Sequence, residues 1–269
     1  MSDFLPPPHQ NSEFSNYPRG NFVPNGPGRP PGVYFDYIGE AWKIVNSDMG
    51  TWVVATLIMF GVTYGVNMVI SIFNNLLMYG SLSLVSSRGA NGLSIAGLIG
   101  AVLLSLAGGM LTYPIQAGLM MMGVRRVRGY AVSPTDLFAG YKGGWRIILA
   151  YALVSIITGI GTLLFLLPGF YALGVLAFVP LLVLDRNASV IDSLTMSYEA
   201  LKSDAWSMFG FMFLLGLVVV LGFCACGVGA LFSYPVFILA LALTYNNYFP
   251  DESLQSASYY QQIGSEPPK

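Results

Sequence analysis

The stretch that decides the fold is GTWVVATLIMFGVTYGVNMVISIFNNLLMY, residues 50–79, which contains no charged side chain and no proline. A helix needs about 20 mostly apolar residues to cross a hydrocarbon core that is roughly 30 Å thick. This stretch is longer than that, and proline, the residue that most strongly breaks helices, is absent from it. It therefore predicts a transmembrane helix.

Five further apolar runs follow and predict five more spans, at residues 93–122, 145–167, 170–184, 206–224 and 226–249. Pro168 and Gly169 are turn-forming residues and separate the third run from the fourth, which is the shortest. The predicted fold class is therefore all-α, a polytopic membrane protein with about six transmembrane helices.

The composition of the whole chain agrees with a membrane location. Hydrophobic residues make up 55% of the chain and charged residues only 9%, whereas a soluble domain carries about 25% charged residues. The net charge of -1 supplies no positive field that would attract nucleic acid. We therefore expect the lipid bilayer as a partner and no nucleic-acid partner.

Basic residues are distributed unevenly between the two sides of the predicted spans. Of the 12 Lys and Arg residues, all but Arg88 fall on the same side when the spans alternate in direction. Loops rich in Lys and Arg remain in the cytoplasm, so that side is predicted to be cytoplasmic. An even number of spans then predicts a multi-pass protein of the cell (cytoplasmic) membrane with both termini cytoplasmic.

The two ends of the chain have compositions that do not favour a packed core. Residues 1–32 are rich in proline and contain no apolar run of the kind found in signal peptides. We predict a disordered, Pro-rich cytoplasmic tail over residues 1–32 and a second disordered tail over residues 251–269. The six-helix transmembrane domain is predicted to occupy residues 33–250.

A short amphipathic segment precedes each pair of spans, which predicts three short interfacial helices on the cytoplasmic face. The second segment opens with Ser133 as a cap before Pro134 and Asp136, and in the third Ser189 is expected to cap towards Asp192. The apolar faces are formed by Tyr34, Phe35, Ile38, Trp42 and Val45, by Leu137, Phe138 and Tyr141, and by Val190, Ile191, Leu194, Tyr198 and Leu201.

The units that follow these segments share two further features and predict three pseudo-repeats. A tryptophan follows each segment, and indole prefers the headgroup boundary, so these side chains are expected to act as depth anchors: Trp52, Trp145 and Trp206. A proline lies in the second helix of each pair: Pro114, Pro180 and Pro235.

Polar side chains inside the predicted spans are candidates for a polar stripe: Asn67, Ser71, Asn74 and Gln116. They could line a path for a solute, or they could form interhelical hydrogen bonds worth about 0.6 kcal/mol each in lipid. Residues 147–184 and 205–250 contain no Asp, Glu, Lys or Arg, and this absence counts against a pump or a proton-coupled carrier.

Arg125, Arg126 and Arg128 form the strongest positive cluster and are candidates for contacts with anionic lipid. Such a contact contributes about 1 kcal/mol per basic residue near the surface; the alternative is that the cluster only sets topology. Charges of the third segment, including Asp185, are expected to be solvated, as are Asn246 and Asn247.

Small residues also suggest how helices pack. Gly61 and Gly65 form a ridge that would allow close helix–helix approach, either inside the monomer or at a homo-oligomer seam. A separate protein partner is a further possibility.

The sequence contains no arrangement of residues that predicts an enzyme. The single histidine, His9, lies in the N-terminal tail, and Cys224 and Cys226 are too few for a zinc site. There is no Gly-rich phosphate loop and no paired carboxylates in an apolar span. We predict no catalytic residue, no cofactor and no metal site.

Several short motifs resemble a prokaryotic integral membrane protein family of unknown function, whose members look like the membrane domain of some glycerophosphoryl diester phosphodiesterases. The resemblance is carried by residues 168–173, 179–181 and 184–185, then by the segment through Trp206, the stretch 226–229 and Tyr234-Pro235. An earlier part, residues 114–118 and 128–138, is also similar. The resemblance implies no catalytic residue, because the activity of fused members belongs to a separate soluble barrel.

These observations support two hypotheses about function. The first is a non-enzymatic integral membrane protein that serves as an accessory, scaffolding or lipid-organising subunit. The alternative is a transporter or channel for a neutral or apolar solute, which would use the polar stripe and the proline-containing helices.

Overall fold

The structure, a computed structural model, describes residues 29–86, 95–224 and 227–251. This part of the chain is helical and contains no strand. Its elements are α1 (Tyr37–Ser47), α2 (Met49–Ser86), α3 (Ile95–Val127), a 3-10 helix (Pro134–Gly143), α4 (Gly144–Leu164), α5 (Leu166–Val175), α6 (Val179–Asp185), α7 (Val190–Leu201), α8 (Ala205–Cys224) and α9 (Ala230–Tyr248).

Among the described residues, five segments are long and apolar enough to cross a membrane: Met49–Leu76, Pro134–Leu164, Leu166–Asp185, Ala205–Cys224 and Ala230–Tyr248. The prediction of an all-α polytopic membrane protein is confirmed. The second predicted span falls in α3, where several side chains lie outside the described residues. A count of six spans therefore stays a prediction, as does the position of Arg88, which lies outside the described residues.

Several predicted boundaries differ from the observed ones. The third apolar segment begins at Pro134 rather than at residue 145, because the 3-10 helix continues directly into α4. The fourth extends over Leu166–Asp185 and is divided into α5 and α6 by a turn at residues 176–178. The predicted turn at Pro168 and Gly169 is wrong, because both residues lie inside α5 and the chain changes direction at Phe165, which is extended. Pro180 lies in the first turn of α6, where a missing N–H costs no hydrogen bond, whereas Pro114 and Pro235 lie inside α3 and α9.

Helix α9 is the central helix of the bundle. Of its most apolar part 67% is buried, against 17% of the corresponding part of α8, and α9 packs against α1, α2, α3 and α8. We call the end of the bundle that holds the C-terminal ends of α3, α6 and α9 the basic end. Burial is concentrated there, and helices α2, α4 and α8 expose many apolar side chains further away.

The first and third short helices are amphipathic, and each buries only part of its predicted apolar face. In α1 the buried residues are Tyr37, Ala41, Ile44 and Val45, which leaves Phe35 and Trp42 exposed. In α7 the small residues Ser193 and Ser197 face inward, and Ile191 and Tyr198 are exposed. Small residues permit the close approach that lets Ser197 donate a hydrogen bond to the carbonyl of Val175 (2.6 Å).

The N-terminal caps of α7 and of the 3-10 helix are confirmed. The hydroxyl of Ser189 accepts a hydrogen bond from the backbone N–H of Asp192 (3.2 Å). The backbone N–H of Ser133 donates to the carboxylate of Asp136 (2.8 Å), which completes the predicted cap before Pro134. Each cap satisfies an N–H group that the first helical turn leaves without a partner.

The 3-10 helix packs lengthwise along α3, a placement that its amphipathic pattern did not indicate. Asp136 contacts Arg125, and the hydroxyl of Tyr141 donates to the carbonyl of Leu111 (2.6 Å), about four turns back along α3. Two glycines make this possible. A Cβ on Gly118 would lie 1.8 Å from the carbonyl oxygen of Leu137, and one on Gly140 would lie 1.7 Å from that of Pro114.

Of the three tryptophans expected to act as depth anchors, two are exposed and one is buried. Trp145 is 69% exposed and Trp206 is also exposed, as an anchor at the headgroup boundary requires. Trp52 is 0% exposed, so the prediction that it anchors the bundle in the headgroup region is wrong. Trp52 lies in the first turns of α2, inside the packed basic end, and Trp42 of α1 is the exposed indole instead.

Candidate functional site

The most developed polar arrangement in the described residues is a buried ion pair at the basic end. The guanidinium of Arg128, just beyond α3, donates to both carboxylate oxygens of Asp185 at the end of α6 (2.5 and 2.8 Å). The two side chains are only 9% and 6% exposed. Asp185 was predicted to be solvated, and that prediction is wrong because the ends of α3, α6 and α9 enclose it.

The remaining groups around this pair are satisfied by α9. The hydroxyl of Tyr245 donates to Asp185 (2.7 Å), the Oδ1 atom of Asn246 accepts from Arg128 (3.1 Å), and so does the carbonyl of Phe249 (3.2 Å). Burial alone disfavours the charge of Arg128, but the adjacent Asp185 carboxylate outweighs it, and the pKa of Arg128 lies above its ordinary value. The pair therefore stays charged and internally neutralised.

The C-terminal residues of α9 and the two that follow it, Tyr245 to Pro250, take partners from elsewhere in the chain. The side chain of Asn247 accepts from the backbone N–H of Gly32 (2.8 Å) and donates to the carbonyl of Arg29 (3.3 Å). The hydroxyl of Tyr248 donates to Asp204 (2.6 Å), and the carbonyl of Pro250 accepts from Arg186 (3.4 Å). We call residues 245–250 the α9 hub.

The hub also holds the described start of the chain. Residues 29–32 were assigned to an unstructured tail, but Asn247 binds their backbone, and Arg29 forms an ion pair with Asp36 (2.7 Å). Residues 29–32 therefore pack on the bundle as part of the described structure. Asn246 and Asn247 were expected to face water, and both instead have protein partners.

Two further arginines tie neighbouring elements to the basic end. Arg125 forms an ion pair with Asp136 (3.2 Å), which joins α3 to the 3-10 helix, and their side chains are nearly buried. Arg146 of α4 donates to the side chain and carbonyl of Asn187 (2.6 and 2.7 Å) and to the carbonyl of Ala188. Asn187 has φ +49°, a left-handed conformation that Asn tolerates, and this turn presents both carbonyls to Arg146.

The three arginines proposed as lipid contacts are separated by the structure. Arg125 and Arg128 are used in ion pairs inside the protein. Arg126 is half-buried and, within the described part of the chain, has neither a hydrogen bond nor an ion pair; its Nε atom is buried without an acceptor. Of the three, Arg126 is the one whose guanidinium binds no protein group among the residues that the structure describes.

The predicted polar stripe does not form one cavity. Asn67 is exposed and donates to the carbonyl of Thr63 in its own helix (2.7 Å), and Ser71 is exposed too. Asn74 is half-buried, and its Oδ1 atom has no partner. Gln116 is half-buried in α3. Gly108 of α3 lies level with Ile70 of α2, and Gln116 is about two turns further along α3, so it lies nearer the basic end than Ser71 and Asn74 do.

Two depressions lie at the surface of α4, α5 and α7, and both are wide open. One of about 550 Å³ is lined by Ser155, Thr158, Thr162 and Leu173. A second, of about 420 Å³, lies between α4, α5 and α7 and is lined mainly by apolar atoms, including Ile157, Leu176 and Leu194. Neither contains a residue of the predicted stripe.

Sequence reasoning missed Asp185 and the hub as a site. A usable signal was present, since a lone carboxylate at the end of an apolar run needs a partner, and Tyr-Asn-Asn-Tyr is a polar run at the end of an apolar helix. The sequence does not show which arginine forms the ion pair with Asp185, since Arg125, Arg126 and Arg128 have the same side chain.

Comparison with known proteins adds no family to this picture. No protein-family model matches the chain, and neither a curated protein nor a solved structure is similar to it. In residues 29–86, 95–224 and 227–251, no three His, Cys, Asp or Glu side chains come together as a group that could hold a metal ion.

Proposed function

We propose that this chain is a non-enzymatic integral membrane protein that acts as an accessory, scaffolding or lipid-organising subunit. The observation that carries the proposal is how the side chains of the basic end are used. Its charged and polar groups largely bind other parts of the protein, while a set of large aromatic and apolar side chains around its packed core is exposed.

The outward-facing side chains suit a membrane boundary. Exposed large residues at or near the basic end come from the three short helices, from the residues just before α1 and from the starts of α4 and α8: Phe35, Trp42, Phe138, Trp145, Ile191, Tyr198 and Trp206. Tyr and Trp favour the boundary between headgroups and hydrocarbon. Such a ring would fix the depth of the bundle and offer surface to lipid or to a neighbouring membrane helix.

The cytoplasmic orientation of both termini is part of the same proposal. Several of the described basic side chains bind groups of the basic end: Arg29 pairs with Asp36 just before α1, and Arg128, Arg146 and Arg186 bind groups at or near the end of α6 and the α9 hub. Retention of Lys and Arg in the cytoplasm would place that end, and both tails with it, on the inner side. The resemblance to the family of phosphodiesterase membrane domains would suit a module that works beside a separate soluble partner.

The transporter alternative receives less support from the geometry. Asn67 and Ser71 lie on the exposed surface of α2, and Gln116 lies nearer the basic end, so these groups do not converge on one path. The two large depressions are open at the surface and contain none of these residues.

The experiment that tests the proposal is gentle solubilisation from native membrane, followed by size measurement and mass spectrometry of what accompanies the full chain. We expect a protein partner in fixed ratio or a reproducible set of bound lipids. A lone chain that binds no partner and no selected lipid, and that carries a neutral solute across a liposome membrane, would overturn the proposal. The Asn67→Leu variant supplies the control, because flux through the stripe would fall when the amide is removed.

A further inference from the structure

Two side chains with unsatisfied donors lie at corresponding positions of neighbouring helices. Helices α2 and α3 pack tightly where a Cβ on Gly108 would overlap the side chain of Ile70. About five full turns separate Ile70 from Trp52, and the same number separates Gly108 from Arg126. A whole number of turns returns to the same face of a helix, and α2 and α3 are antiparallel neighbours. Trp52 and Arg126 therefore lie on the faces along which the two helices meet, both at the basic end.

Both of these residues have an N–H group without an acceptor. The Nε1 atom of Trp52 and the Nε atom of Arg126 are buried and have no hydrogen-bond partner, and Trp52 is fully buried. The hydroxyl of Thr56, about one turn from Trp52, is also buried without a partner. Buried polar groups in native proteins are almost always satisfied, so a concentration of unsatisfied donors points to a missing acceptor.

The missing acceptor must be anionic, or at least rich in lone pairs. Trp Nε1 and Arg Nε only donate, and Arg126 brings a full positive charge that no described carboxylate neutralises. Arg125 and Arg128, its neighbours in the chain, have Asp136 and Asp185. A phosphate oxygen fits this requirement, since guanidinium groups bind phosphate with two parallel hydrogen bonds.

We propose that Trp52 and Arg126 form a binding site for the phosphate of an anionic phospholipid headgroup. The proposal rests on the lipid-organising role proposed above and deepens it by naming the lipid class. Both donor atoms are closed to solvent in the structure, so binding requires the half-buried Arg126 side chain to turn outward. This movement frees Nε and opens the indole N–H, and the phosphate then accepts from both residues.

The test uses the full chain in nanodiscs made from phosphatidylcholine with a minor fraction of phosphatidylglycerol, and native mass spectrometry counts the retained phosphatidylglycerol. We expect Arg126→Gln to lower its enrichment about tenfold, which corresponds to about 1.4 kcal/mol. Trp52→Phe, which keeps an aromatic ring and removes the N–H, should lower it by a smaller factor. Arg126→Lys, which keeps the charge but not the planar donors, should fall between wild type and Arg126→Gln.

The matched control is Lys43→Gln, because Lys43 is an exposed cation on α1 at the same end of the bundle. Equal losses in Lys43→Gln and Arg126→Gln would mean general attraction to the charged surface and would overturn the site. Enrichment that is unchanged in Arg126→Gln would also overturn it, since the donors are then satisfied by water alone.

A separate arm distinguishes a lipid from a free anion. Excess inorganic phosphate should leave the bound phosphatidylglycerol in place, and displacement at equal concentrations would reassign the site to soluble phosphate. Tryptophan fluorescence in a variant that keeps only Trp52 gives a second readout, because opening of the indole should shift its emission when phosphatidylglycerol is added. If the unchanged chain does not enrich phosphatidylglycerol but does retain a protein partner, this inference is overturned and the proposed function still stands.

Discussion

The basic end and the opposite end of the same helices are packed in very different ways. At the basic end, the backbone of the 3-10 helix touches α3 at Gly118 and Gly140, with no room for a Cβ. On the exposed face of α2, at about the same level, a Cβ on Gly61 or Gly65 would have nothing within 4 Å. At the far end of α4 and the start of α5, Leu163 to Leu167 are exposed. Glycine therefore has opposite roles on a packed face and on an exposed one.

This difference follows from what drives packing in a bilayer. Lipid chains are as apolar as Leu, so burying Leu163 against protein gains little over leaving it in lipid. Close backbone contacts and satisfied polar groups are gains that lipid cannot supply. The basic end has the ion pairs of Arg125 and Arg128 and the α9 hub, and it is therefore the part of the bundle with a dense protein core.

The largest expected effect comes from breaking the buried pair at the basic end. Arg128→Met leaves the Asp185 carboxylate charged and enclosed, without its bidentate partner; the hydrogen bond from the hydroxyl of Tyr245 remains. Removing one member of a buried pair costs about 3–5 kcal/mol. Reversible unfolding in mixed micelles should report this loss. Lys43→Met, at an exposed position of the same end, is the control and should change the free energy of unfolding little.

The next effect compares a glycine on a packed face with one on an exposed face at about the same level. Gly118→Ala forces a Cβ against the carbonyl of Leu137 and should lower the free energy of unfolding by roughly 3 kcal/mol, because the backbone must move. Gly61→Ala meets no atom within 4 Å and should be nearly neutral. Thermal unfolding of the two variants measures the contrast. Equal losses would show that the two faces are packed alike and would contradict the close contact between α3 and the 3-10 helix.

A smaller effect is expected from the second ion pair. Asp136→Asn weakens both the contact with Arg125 and the cap on Ser133, and should cost about 2 kcal/mol, as hydrogen bonds to charged groups typically do. Limited proteolysis should then cut first within residues 129–143. Asp192→Asn, a cap change at the exposed α7 start, is the control and should leave that segment protected.

The smallest effect concerns the hub. Tyr248→Phe removes the hydroxyl that donates to Asp204 and should cost about 1 kcal/mol, because Tyr248 is only partly buried and water can replace the bond. A shift in the unfolding midpoint measures it. Tyr64→Phe, at an exposed position of α2, should produce no shift, and a shift as large as that of Tyr248→Phe would contradict the assigned role of the hub.

The architecture was predictable from the sequence to a large extent, and the site was not. The helical class follows from run lengths and low charge, and the caps at Ser133 and Ser189 follow from local chemistry that needs no tertiary information. The burial of Trp52 and Asp185 depends on which helices are neighbours, and periodicity does not contain that information. Residue type likewise cannot distinguish Arg126 from Arg128, since only the three-dimensional structure shows which arginine pairs with a carboxylate.

The central claim is that the Arg128–Asp185 ion pair stabilises the packing of the ends of α3, α6 and α9. A double-mutant cycle tests this claim most directly. The free energies of unfolding of Arg128→Met, Asp185→Leu and the double variant are compared with that of the unchanged chain. We expect the double variant to lose at least about 2 kcal/mol less than the sum of the single losses, because neither charge is left alone. Single losses that simply add would contradict the claim, since the two side chains would then act independently.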